Sequence, residues 1–397
     1  MRILNAAIVA GTAALVGGAH ALSAEAAVRD RIAMVQAEFG FRLMDRLAGE
    51  AGGPNVIVSP ASAAAALAYL DLGADPGMRA ALAKTLGYES DEGAGGLAAL
   101  RVEAKVLAGL PPGWGPLAFA NAIFVDPAAE VFPAALAALS DAGMTAEMAS
   151  INQPEGLAAI NRWVDRATAG AIPTILDEPL TGAALVALNA FRFKDDWAHQ
   201  FESDQTKAAR FHLAGGGTDS VAMMHRPPTG LPVRQDEHFV ATIMPYETPR
   251  FSMVLVTTKD GAATAADFAP VQSWLSGEGF ADGMVILDMP KFDLAATMHL
   301  LPALDALGLA EGASDTAFAG FSETPIVLSD VIQKTKIMVD EHGTDASAAT
   351  AVIGRAGARL DPDIVTVSLD RPFLFAIREE ASGLILLAGY VGDASLH

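Results

Sequence analysis

Asp340, Glu341, His342 and Asp345 gather carboxylates and an imidazole in one short stretch, the residue types that bind a divalent cation. Their spacing fits no EF-hand loop, and polar side chains in an acidic turn are ordinarily just solvated, so no metal is expected. With eight histidines and many Ser and Asp, a nucleophile–base–acid triad could be drawn from scattered positions. No Gly-x-Ser-x-Gly elbow and no Gly-rich phosphate cradle between strand and helix supports one. Gly215-Gly216-Gly217 falls between two strand-like runs, where a hairpin loop is its use. Cysteine is absent, which removes thiolate nucleophiles, thiolate zinc sites, iron–sulfur clusters and disulfides together. The chain reads as neither an enzyme nor a cofactor carrier.

The run after the acidic turn is more informative. From Gly343 to Val352 the side chains are almost all Ala, Ser and Thr. They offer too little apolar surface to anchor a core and no Leu-type anchors at helical spacing. Two readings stand. One is a helix built from Ala, the best helix former; the other is an exposed segment that later slides between packed neighbours as a strand. In a strand, alternate side chains share a face. Counting from Thr344, that face carries Thr344, Ala346, Ala348, Thr350 and Val352, with Asp345 on the other. No charge on it would have to be desolvated.

Helices are expected over Val28–Leu47, Ser62–Leu72, Arg79–Leu86, Ala134–Ser140, Gly156–Thr168, Ala265–Leu275 and Met298–Leu307. Strands are expected at Val56–Val58, Leu117–Val125 and Leu185–Phe193, then in a β-rich half. That half holds Ser220–Met224, Leu231–Val233, Phe239–Pro245, Phe251–Thr257, Met284–Phe292, Val331–Asp340, Ile364–Leu369, Phe373–Arg378 and Leu384–Val391. No repeat, linker or βαβ rhythm appears, which favours a mixed α+β domain over residues 28–397.

The 52% hydrophobic fraction is ample for a core, although aromatics are only 7%. A net charge of −21 opposes nucleic acid, heparin-like polyanions and anionic membranes. Arg2 precedes an apolar or small-residue run from Ile3 that ends Ala19-His20-Ala21. This has the form of a secretory signal over residues 1–21, with a later cut at Ala26 as the alternative. An exported protein, extracellular or periplasmic and free of the membrane once processed, is the expectation.

A set of segments runs through the chain: Asn55–Ser62, Ala120–Val125, Asn161–Thr168 with Ile172–Leu176, and Leu188–Lys194 with Trp197. Met289-Pro290-Lys291-Phe292, Ser329-Asp330-Val331 and Asp370–Phe375 complete it. Together and in this order they resemble the serpin family, protease inhibitors with a mobile reactive loop. The resemblance implies an α+β serpin fold with a large central sheet, about eight or nine helices, and an exposed loop near residues 341–361. It also implies that the small-residue run is the loop's hinge: Glu341, Gly343, Thr344, Ala346, Ala348 and Thr350. A protease attacks the loop, and the cut segment enters a vacant slot in the central sheet, trapping the acyl-enzyme; strand addition and stored-strain release are the physics.

By the family's usual count from Glu341, the reactive bond is Gly357–Ala358. Arg355–Ala356 and Arg359–Leu360 are the alternatives. Small residues here favour elastase- or subtilisin-like targets, whereas the arginines would suit trypsin-like ones. Ser59, Ser62, Asn189 and Gln333 resemble the polar cluster beneath the sheet's opening. Gln333 stands where the family usually has His, so it keeps donor and acceptor but loses a protonation switch. Lys291 and Trp197 resemble the residues at the loop's mouth, Lys291 pairing with Glu341. No Lys/Arg-rich helix marks a heparin-type activator site, and a monomer without cofactors is expected. The segment Gly389–Ala394 lacks the family's Asn-Pro, which puts the final turn in question. A non-inhibitory member serving as carrier, chaperone or storage module is the alternative, although such hinges often carry a bulky or charged residue on the inserting face.

Overall fold

The computed structural model describes residues 27–49, 54–89, 92–109, 116–344 and 364–396. Two sheets organise these residues. The smaller has seven strands, ordered Thr145–Met148, Leu117–Val125, Leu185–Phe193, Leu328–Val339, Gly343–Thr344 and Asp195–Asp196, with Phe292–His299 on Leu328–Val339. The larger has nine, and Asn55–Val58, Ile385–Val391, Phe373–Glu379, Phe251–Thr258 and Phe239–Pro245 form its apolar half. The remaining four are Thr218–Gln235, Lys207–His212, Ala281–Pro290 and Ile364–Ser368. Seven α-helices and one long 3₁₀ helix, Ala265–Ser276, surround them. The expected α+β architecture, a mixed multi-sheet core with a large central sheet, is present.

The helix Pro60–Leu70 is buried at every position. Its Ala-rich sequence keeps it thin enough to lie in the core between the two sheets. Ser59 starts it, in extended conformation with its hydroxyl accepting from Ser62 N–H, and Pro60 supplies a preset first φ. On the opposite face of the smaller sheet lies the amphipathic helix Pro154–Ala167. Its Ile160, Trp163 and Val164 pack on Phe124, Val186, Leu188 and Ile332. Leu185–Phe193 is therefore covered on both sides, which accounts for its near-continuous apolar run; in Leu328–Val339 buried positions alternate with the partly exposed Lys334, Lys336 and Met338.

Four expectations change. Ser220–Met224 and Leu231–Val233 belong to one strand, Thr218–Gln235. A register shift between Val285 and Leu287 of the neighbouring strand absorbs Pro227 and Pro228, which cannot donate to a ladder. Ala265–Leu275 winds as a 3₁₀ helix with Pro270 inside, where the ring removes an α-helical bond. Met298–Leu307 splits, because Phe292–His299 continues as a strand and the helix is confined to Leu301–Ala306. A helix at Gly93–Ala108 was not anticipated: its three early glycines masked a buried stripe of Leu97, Leu100, Ala104 and Leu107.

The final turn needs no Asn-Pro. Asn55 Oδ1 accepts from Gly392 N–H (3.0 Å) and Asp393 N–H (2.9 Å), and its amide donates to Asp393 O (2.7 Å). One side chain at the start of the chain thus closes the end of it. No described helix is long and apolar enough to cross a membrane. The predicted signal, residues 1–21, lies outside the described residues, as does the segment from residue 345 to 363.

Candidate functional site

Leu328–Val339 runs parallel to Leu185–Phe193, directly paired from Val331↔Ala187 to Lys336↔Arg192. The vacant slot expected in this sheet is a closed seam. Pairing satisfies ladder groups that would otherwise be buried without partners. Beyond the seam's upper end the strands part, and Gly343–Thr344 sits between them. Thr344 pairs with Val339 on one side, and Gly343 and Thr344 pair with Asp196 and Asp195 on the other.

Side chains and backbone from several segments hold that junction. Glu341 Oε2 lies 2.8 Å from Lys291 Nζ, and Glu341 Oε1 accepts from Thr206 Oγ1 at 2.7 Å. Burial pushes the Glu341 carboxyl up, but these donors outweigh it and hold the group below its ordinary pKa. Trp197 donates Nε1–H to Asp340 O (3.0 Å) and its backbone N–H to His342 O (2.7 Å). Phe201 N–H donates to Glu341 O. Gly343 is required by close approach: a Cβ there would lie 2.1 Å from Asp195 O. Thr344 is fully buried, and its hydroxyl meets that of Tyr246 at 2.7 Å.

Asp340, Glu341 and His342 bring ligand-type atoms within 4.8 Å of one another. Those carboxylates are already in use. Glu341 is paired as above, and Asp340 Oδ1 accepts from His342 N–H and Gly343 N–H, shaping the turn. Asp345 lies outside the described residues, as do Ala346, Ala348, Thr350, Arg355, Ala356, Gly357, Ala358 and Arg359.

Lower down, Gln333 clasps the start of the core helix. Its Oε1 accepts from Ser59 N–H (2.6 Å) and its Nε2 donates to Ser59 O (3.0 Å). Ser59 Oγ donates to Leu386 O (2.6 Å) and meets Ser62 Oγ at 3.0 Å. Ser59, Ser62 and Gln333 therefore come together, and Asn189 stands beside Gln333 in register. Its amide, however, donates to Asn121 on the next strand, in a row Asn121–Asn189–Gln333 across the sheet. Asn121 Nδ2, Asn189 Oδ1 and Thr335 Oγ1 are buried without a hydrogen-bond partner among the described residues.

Sequence reasoning missed Asn121, Thr206, Thr335 and Tyr246. Asn121 carried a signal, an amide in the otherwise apolar strand Leu117–Val125. The other three are ordinary β-strand or turn residues, defined only by what lies across from them.

Comparison with known proteins places these features. The family model described as serpin (serine protease inhibitor) matches residues 34–394. The leukocyte elastase inhibitor of Bos taurus is 31% identical over 355 residues, 84% of this chain and 92% of its own. Human thyroxine-binding globulin superposes with a TM-score of 0.82 at 23% identity, covering 92% of this chain and 99% of its own. The thermophilic serpin tengpin, in its native state, gives a TM-score of 0.78 at 24% identity, covering 91% of this chain and 94% of its own.

Proposed function

The chain belongs to the serpin family, and on that premise we propose that it is an exported suicide inhibitor of serine endopeptidases. The observation that carries this reading is the register of Thr344. Continued along both strands, that register would bring position 346 between Ile337 and Phe193, position 348 between Thr335 and Phe191, and position 350 between Gln333 and Asn189. The residues there are Ala346, Ala348 and Thr350. They are small where the neighbours are large, and hydroxylated at the polar row. A strand in this register turns one parallel pair into two antiparallel pairs and brings new polar groups beside the orphaned Asn189 Oδ1 and Thr335 Oγ1.

The mechanism then needs no catalytic group from this chain. A protease acylated at Gly357, or at Arg355, Ala356 or Arg359 in the alternative registers, is carried along as the cut segment enters the seam. Its ester is trapped when its own triad is distorted. Small residues around the bond favour an elastase- or subtilisin-like target. The fold would serve a binding protein equally well, as the name of thyroxine-binding globulin states for that relative. The uncharged inserting face is what favours inhibition.

The test is incubation of the purified protein with an elastase, a subtilisin and a trypsin, followed by denaturing gels. A covalent complex of summed mass is expected with at least one, and mass spectrometry of the released C-terminal peptide identifies the bond. Clean cleavage by all three with no complex would turn the assignment to the non-inhibitory alternative. N-terminal sequencing of secreted protein, expected to begin at residue 22 or 27, checks export.

A further inference from the structure

Tyr246 is not among the residues the resemblance brought forward, yet it holds the most buried contact at the hinge. The ring is 1% exposed, stacked on Trp197 at 4.6 Å between centroids, and packed on Phe193 at 4.7 Å. Its backbone is bridged to that of Trp197, so the ring cannot drift from the junction. From this fixed base the hydroxyl reaches Thr344 Oγ1 at 2.7 Å, and Thr344 is itself 0% exposed. Thr344 is the first position of the inserting face. It is already laddered to Val339 and Asp195.

We propose that Tyr246 is a positioning residue for loop insertion: its hydroxyl pins Thr344 in place as the seated first residue of the incoming strand. Starting a strand is the costly step, because backbone freedom is lost before ladder bonds accumulate. A pinned Thr344 removes that step, and insertion propagates from an existing nucleus. Speed matters because the trap must close before the acyl-enzyme hydrolyses. The consequence for inhibition rests on the proposed function above, but the pinning contact does not.

The test compares wild type with Tyr246→Phe, Thr344→Val and the double variant. Phe keeps the ring stacked on Trp197, so unchanged tryptophan emission certifies the fold. Amide exchange at Gly343 and Thr344 is expected to quicken about fivefold in each single variant, the factor for one net hydrogen bond of ~1 kcal/mol. The double variant should be no faster than either single, since both remove the same bond. With a protease that forms the complex, the moles of inhibitor consumed per mole of enzyme should rise severalfold while the initial association rate stays unchanged.

Unchanged hinge exchange in Tyr246→Phe, or additive effects in the double variant, would overturn the pinning. Faster exchange with unaltered stoichiometry would overturn the role in insertion. A wild-type protein cut without any complex would instead sink the inhibitory reading, and exchange alone would then judge the latch.

Discussion

Glu341 is the residue on which the hinge's response to acid turns. Folding depresses its pKa, because donation from Lys291 and Thr206 outweighs the cost of burial. A group depressed in this way contributes stability that is present above its unfolded pKa and lost as pH falls through its folded one. The hinge should therefore be held firmly at neutral pH and loosen only as pH falls below the ordinary carboxylate range. Amide exchange of the 341–344 segment, corrected for intrinsic rates, should accelerate on acidification across that window. Glu341→Gln should be looser than wild type at neutral pH and lack the extra loosening in acid. If both proteins showed the same acid dependence, the ion pair would not be what holds the junction.

At the level of elements, Gln333 joins the central strand to the core helix through two hydrogen bonds to one residue, Ser59. Replacing it with Leu keeps the volume but leaves Ser59 N–H buried without its acceptor, while Ser59 O keeps the bond from Ala63 N–H. An unmet group of this kind costs ~1–3 kcal/mol, so Gln333→Leu should destabilise by about that amount. A lower guanidinium midpoint at unchanged slope is the expected signature. A midpoint within error of wild type would mean that the clasp is replaced by other partners.

This clasp also marks what could be read in advance. The strands Leu117–Val125 and Leu185–Phe193 were legible to the residue, because each is a short apolar run with a clear boundary. Ser59, Ser62 and Gln333 were legible as a group only through the family's motifs, since nothing local brings together positions so distant in sequence. Thr344 was legible as a hinge residue, whereas Tyr246 stood just past the expected strand Phe239–Pro245, and nothing marked the two as a pair. Their contact depends on how the chain doubles back at residues 340–343, a tertiary fact. The glycine-rich start of Gly93–Ala108 misled for the opposite reason: tertiary burial of Leu97, Leu100 and Leu107 overrides weak local propensity there.

For the whole molecule, the claim is that the described arrangement is not the most stable one this chain can reach. The seam between Leu185–Phe193 and Leu328–Val339 is closed, so nothing compels it to open while the loop is intact. On the proposed mechanism, cutting the loop would free the hinge segment to follow Thr344 into the sheet. Roughly a dozen additional ladder bonds at ~0.5–1.5 kcal/mol net would then stabilise the product by on the order of 10 kcal/mol. This equals the entire stability of many domains, so the uncut form must persist by kinetics. One kcal/mol moves the melting point of a large domain by about 2 °C, and a nicked sample should therefore melt some tens of degrees later than an intact one. The separation should vanish if Ala348, destined to lie between Thr335 and Phe191 in the continued register, is replaced by Glu, because the charge would be buried without a partner. Coincident melting of nicked and intact wild type would show that the seam never admits the strand.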